Sequence, residues 1–163
     1  MDRVFKIKAD YSEQVELKTS LERAREFFGE LRNFVELMPG VEAIKTQAGG
    51  IKLFMVKAEV PALGAMRAAF AVEQTEDSPW RIEWSPARGE KGNFLRYVAA
   101  FEERGTRTLV RLAQHVEMRR QHARELHIFA GLVGEGRISA EMQKHVTTMI
   151  KTFLQRARTK LED

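Results

Sequence analysis

The sequence predicts an α+β fold in which a curved antiparallel sheet wraps around one long C-terminal helix. Three observations predict it. From Val41 to Arg119 apolar and polar residues alternate with period two, in runs separated by turn signals. From Ser139 onward apolar residues recur at spacings of three and four, which marks one face of a helix. Between a first alternating stretch and the long meander lie two short segments with helical spacing.

The first strand is predicted over Glu13 to Thr19, with Val15 and Leu17 inward. Thr19 then serves as a helix N-cap, and Glu22 three residues on completes a capping box. Leu21, Ala24 and Phe28 share a face of the first short helix, which Gly29 can end. Leu31, Phe34, Val35 and Met38 mark the second, stopped by Pro39-Gly40. Breaks then fall at Ala48-Gly49-Gly50, Pro61 to Gly64, Glu76 to Pro79, Arg88 to Gly92 and Arg104-Gly105. Short turns between strands rich in Val, Ile, Phe and Trp make an antiparallel meander. Ser139 caps the last helix, whose stripe runs through Met142, Val146, Met149, Ile150, Phe153, Leu154, Ala157 and Leu161. A helix so apolar on one side needs a concave sheet to cover it.

The 163 residues fit one domain spanning 1–163, with an insertion over 121–136 before the last helix. The chain has no cysteine, which excludes disulfides, thiolate metal sites and cysteine nucleophiles and suits the cytoplasm. No N-terminal apolar run marks a secretory signal, and no stretch has the ~20 apolar residues of a membrane span. Residues 1–104 hold 16 Lys/Arg against 17 Asp/Glu, whereas residues 105–160 hold 11 against 4. That basic half is either a solvated helix face or a surface for an anionic membrane or acidic partner.

Alternation gives the sheet a dry face. It comprises Phe54, Val56 and Ala58; Met66, Ala68, Phe70 and Val72; Trp80, Ile82 and Trp84; Leu95, Tyr97, Ala99 and Phe101; and Val110, Leu112, Gln114, Val116 and Met118. Two features point to a cavity within it. Small residues (Ala58, Ala68, Ala99) recur, and Gln114 and the Tyr97 hydroxyl sit among apolar neighbours. An apolar pocket with a few placed polar groups is the usual form of a ligand site. The rival reading has Gln114 and Tyr97 satisfying each other or the backbone. The candidate ligand-binding set is Phe54, Met66, Phe70, Trp84, Tyr97, Ala99, Phe101, Gln114, Val116 and Met118 from the sheet, with Met149 and Phe153 from the helix. Gln114, Tyr97 and Trp84 are expected around one space beside Met149.

No catalytic, metal or cofactor site is assigned. His115, His122, His127 and His145 lack the His-x-x-x-His spacing of a zinc helix, and no matching carboxylate accompanies them. His145 either edges the cavity or is a plain exposed imidazole. Gly49-Gly50 and Gly131 to Gly136 lack the lysine and hydroxyl residue of a phosphate loop. No pattern of a nucleic-acid module is present, so no nucleic-acid partner is expected.

The element order, the segment Phe34-Val35-Glu36-Leu37-Met38-Pro39-Gly40-Val41-Glu42 and the terminal helix resemble the START-like helix-grip superfamily. Within it the chain most resembles the carbon monoxide dehydrogenase G-subunit type. That resemblance rests on Pro-Gly followed by an acidic residue and on the strand pair Val56–Val60 and Met66–Phe70. The departures are the residues before Glu13 and the insertion from Gln121 to Gly136. The resemblance implies a polyketide cyclase- or lipid-transfer-like fold gripping a hydrophobic small molecule such as a lipid, quinone or polyketide. The expected activity is therefore binding or transport. A cyclase or dehydratase, or a docking module using the basic half, are the alternatives. The insertion carries Leu126, Ile128, Phe129, Leu132 and Val133 with arginines around them. Arg120, Leu126, Phe129 and Leu132 are expected to form a lid that meets ligand or anionic membrane. The alternative is a helical extension packed on the body or on a second copy of the chain.

Overall fold

A computed structural model describes residues 4–162. Strand β1 (Phe5–Leu17) leads into helices α1 (Leu21–Gly29) and α2 (Leu31–Leu37). Strands β2 (Val41–Thr46), β3 (Lys52–Val60), β4 (Gly64–Asp77), β5 (Arg81–Pro86), β6 (Asn93–Arg104) and β7 (Arg107–Arg120) follow. A short helix α3 (Ala130–Val133) then precedes the long helix α4 (Glu135–Leu161). All neighbouring strands are antiparallel, in the order β1-β7-β6-β5-β4-β3-β2. The helix pair α1–α2 thus carries the chain from one edge of the seven-stranded sheet to the other. Register shifts after Val41 and Gln74 add local bend to the far strands. The curved sheet packs one face on α4, as the two periodicities require.

Four boundaries differ from the expectation, each for a physical reason. β1 begins at Phe5, not Glu13, because alternation continues upstream with Ile7 and Ala9 buried. Residues Phe5 to Ser12 are therefore strand. Ser20, not Thr19, caps α1, its Oγ accepting from the Arg23 amide at 3.2 Å. Thr19 is held back by its carbonyl, which accepts from the buried Thr108 hydroxyl at 2.9 Å. Trp80 does not face the core; it is 57% exposed in the turn before β5. Hydrogen bonds between Ser78 and Arg81 close that turn, so the strand starts after Trp80.

The fourth concerns α4, which begins at Glu135 and not at Ser139. Its first turns are fastened to the edge strand. The amides of Lys6, Lys8 and Asp10 donate to Glu135 Oε1 (2.7 Å), Ser139 Oγ (3.1 Å) and Gln143 Oε1 (2.9 Å). Residues four apart on a helix rise ~6 Å, and alternate residues on a strand advance ~6.6 Å. The two periods match closely enough for three consecutive bonds. Side chains of α4 thereby cap the open N–H groups of edge strand β1, the groups that would otherwise invite pairing with another chain.

Candidate functional site

The interior splits into two ends. At one, the rings of Phe27, Phe28, Phe34 and Phe153 interlock, with centroids 5.1–5.7 Å apart. Tyr97 stands edge-on to Phe34 at 4.8 Å, and Phe54 and Phe101 lie at 6.1 Å from Phe34 and Phe28. Helices α1 and α2 supply three of these rings and α4 one. At the other end none of the helix residues lining the cavity is a phenylalanine. There α4 presents Met142, His145, Val146 and Met149 to the alanines, methionines and valines of the sheet.

A cavity of about 30 Å³ lies at this second end. β3 and β4 contribute Val56, Ala58, Met66, Ala68 and Phe70; β6 and β7 contribute Leu95, Gln114, Val116 and Met118. Register explains the grouping: Val56 faces Ala68, Ala58 faces Met66, and Leu95 faces Val116 across neighbouring strands. Space for about one or two waters is too little for an organic ligand as it stands. Its walls are compliant, however, since four are methionines with freely turning side chains. Among the lining residues Val56, Met66, Ala68 and His145 are half-buried, whereas the others are buried. The cavity therefore approaches the surface between α4 and the β3–β4 pair.

Two polar groups line it. Gln114 is 7% exposed. His145 sits on the rim, its Nε2 donating to the Lys57 carbonyl at 3.2 Å. A carbonyl only accepts, so Nε2 carries the hydrogen and Nδ1 is the acceptor of the neutral ring. Burial pushes the imidazole below its ordinary pKa, against the opposing pull of the Lys57 carbonyl and the Glu59 charge. The Pro39-Gly40 turn abuts this rim. Gly40 has φ +92°, and a Cβ there would stand 3.0 Å from both His145 Nε2 and the Lys57 oxygen. Only glycine gives both the backbone angle and the clearance.

The candidate set divides accordingly. Met66, Phe70, Gln114, Val116, Met118 and Met149 line the cavity. Phe54, Tyr97, Phe101 and Phe153 belong to the aromatic end. Trp84, Tyr97 and Gln114 do align as cross-strand neighbours over β5, β6 and β7. They do not share one space beside Met149. The Tyr97 hydroxyl donates to the Phe28 carbonyl at 3.2 Å, which turns it into the core, and burial raises its pKa well above the ordinary value. Ala99, fully buried between Ile82 and Leu112 in the ladder, is packing. Trp84 instead floors an open groove of about 770 Å³ between α1–α2 and β2–β5. That groove, although larger, is wide open and rimmed by both signs of charge, among them Arg25, Arg32 and Lys52 with Glu26, Glu30 and Asp77. It lacks the enclosed apolar walls of a ligand site. His145, Met142 and Val146 join the cavity, although periodicity alone does not mark them as ligand contacts. The helix stripe contains the last two, and His145 stands one place before Val146.

The lid residues also separate. Leu126 packs against the core, and Arg120 donates to the Gly92 and Arg119 carbonyls and to Asn93 Oδ1. Phe129 and Leu132 point outward, 52% and 87% exposed.

No protein-family model and no curated relative matches the sequence. Solved structures do. A START superfamily protein from Mycobacterium smegmatis is similar over 94% of this chain and 97% of its own, at 12% identity and TM-score 0.59. The chain has the START-like helix-grip fold. A conserved protein from Geobacillus kaustophilus is similar over 94% of each chain, at 12% identity and TM-score 0.64. The Zhui aromatase/cyclase from a Streptomyces species is similar over 93% of this chain and 90% of its own, at 9% identity and TM-score 0.55. Among the described residues no helix is long and apolar enough to cross a membrane.

Proposed function

We propose that this protein binds or carries a hydrophobic small molecule of lipid, quinone or polyketide type in the cavity between α4 and strands β3, β4, β6 and β7. The cysteine-free composition suits the cytoplasm as its place of work. One observation carries the reading: an otherwise apolar, methionine-rich space holds the Gln114 side chain, for which no protein hydrogen-bond partner is present among the described residues. An amide set among apolar walls without a protein partner offers a donor and an acceptor, and a ligand oxygen or hydroxyl would pair with it. Entry follows the half-buried rim between α4 and β3–β4. The narrower likeness to carbon monoxide dehydrogenase G-subunit proteins rests on the Pro39-Gly40 segment and the β3–β4 motif.

Fluorescence titration with an apolar naphthalene probe tests this. Ala68→Trp fills the rim from a half-buried position. It should weaken probe binding by about tenfold or more, as loss of one well-packed contact site does, while far-UV dichroism stays unchanged. Equal affinity in this variant would contradict the assignment.

The alternative is a cyclase- or dehydratase-type enzyme, as the aromatase/cyclase neighbour has such a name. What favours it is the neutral His145 ring at the same rim, whose Nδ1 lone pair can accept a proton as a general base does. If the protein were such an enzyme, His145→Ala would abolish turnover of a polyketide-like substrate while changing probe binding far less.

A further inference from the structure

The segment between β7 and α4 turns two faces in opposite directions. Ala130 is fully buried, and Ala123, Leu126 and Val133 pack on the core. Hydrogen bonds from Leu126 and His127 to the Ala123 carbonyl, and from Val133 and Gly134 to Phe129 and Ala130, hold its two short turns. The opposite face carries Ile128, Phe129 and Leu132, which are 76%, 52% and 87% exposed. A segment fixed to the body thus displays three large apolar side chains within five residues. Scattered exposed leucines need no explanation, but a fixed cluster does.

Charge identifies what covers it. Residues 119–137 hold Arg119, Arg120, Arg124 and Arg137 against Glu125 and Glu135. Arg119 is paired with Glu117 and stacked on Phe94, and Arg120 is bonded to the body. Arg124 and Arg137 are exposed, and among the described residues neither guanidinium has a partner. A two-fold contact with a second copy would set this basic patch against itself. A stable protein interface also needs ~800 Å² from each partner, far more than three side chains supply. A lipid surface needs neither, because a few inserted apolar groups and phosphates for the arginines suffice.

We infer that Ile128, Phe129 and Leu132 insert into an anionic lipid surface, with Arg124 and Arg137 against its phosphate groups. The segment joins the two elements whose Met118 and Met142 wall the cavity, so docking would place that cavity close to the lipid.

Co-sedimentation of the full chain with vesicles tests this independently of ligand binding. Vesicles of phosphatidylcholine and phosphatidylserine in equal amounts should retain the protein, and phosphatidylcholine alone should retain much less. Phe129→Ser with Leu132→Ser should reduce binding by roughly tenfold or more, as loss of two inserted apolar groups implies. Arg124→Glu with Arg137→Glu should weaken it similarly, and added salt should mimic that second pair. All four positions are exposed, so dichroism and the naphthalene titration should stay at wild-type values. Retention unaffected by the first pair would overturn the proposal, as would no retention on the anionic vesicles. Conversion of a dimer to a monomer by Phe129→Ser would also overturn it, in favour of a second copy as occupant.

Discussion

The two ends of the interior are both built from apolar side chains and behave as different materials. At the α1–α2 end, rigid rings interlock. At the other, alanines and methionines line a small void beneath α4. The difference teaches that rigidity comes from ring packing where three elements meet, whereas the void occurs where α4 alone faces the sheet. The flanks of α4 differ in the same sense. Along β1 it is fastened by Glu135, Ser139 and Gln143. Toward β3 the fastening among the described residues is the single His145–Lys57 bond. A helix pinned on one flank opens on the other.

The largest effect should come from the aromatic end. Phe153 is fully buried against three phenylalanines, so Phe153→Ala should cost ~3–5 kcal/mol by denaturant unfolding. Met149→Ala, at the cavity, should cost ~2 kcal/mol, the low end for such truncations, because its neighbours can relax into space already present. Equal losses would remove the distinction between the ends.

Unfastening the β1 flank should matter less. Ser139→Ala with Gln143→Ala leaves the Lys8 and Asp10 amides to water and should cost ~1 kcal/mol per bond at most. Amide exchange at Lys8 and Asp10 should quicken while β6 is unaffected.

The smaller effect is on the β3 flank and depends on pH. The folded protein holds the His145 pKa below its ordinary 6.5, so the unfolded chain takes up the proton first as pH falls. The stability present above pH 6.5 should therefore decline below it. Unfolding measured from pH ~7.5 to ~5 should show a shallower slope in His145→Gln than in the parent. Identical slopes would detach His145 from the rim.

The fold was legible because its signals are local. Alternation in β3 to β7 placed Phe54, Ala58, Phe70, Leu95 and Val116 correctly inside, and the 3.6-residue stripe identified α4. Local pattern misleads where a distant partner decides. α4 reaches back to Glu135 because Glu135 and Ser139 bond to β1, over one hundred residues earlier in the chain. Alternation likewise says which way Tyr97 and Gln114 point, but not that α1 sets the Phe28 carbonyl over one and leaves a space beside the other. Periodicity sorts in from out; only the arrival of α1 and α2 sorts core from cavity. His145 stays ambiguous in the sequence because a histidine beside an apolar stripe looks the same whether it meets water or the Lys57 carbonyl.

The seven methionines give the most direct test. Met66, Met118, Met142 and Met149 line the cavity, while Met38 lies in the core and Met55 on the outer face of β3. Methyl-labelled methionine spectra can be recorded during titration with the naphthalene probe. Shifts at Met66, Met118, Met142 and Met149, with Met38 and Met55 unmoved, are the predicted result. Binding that leaves those four signals in place, or that moves the Trp84 indole instead, would contradict it.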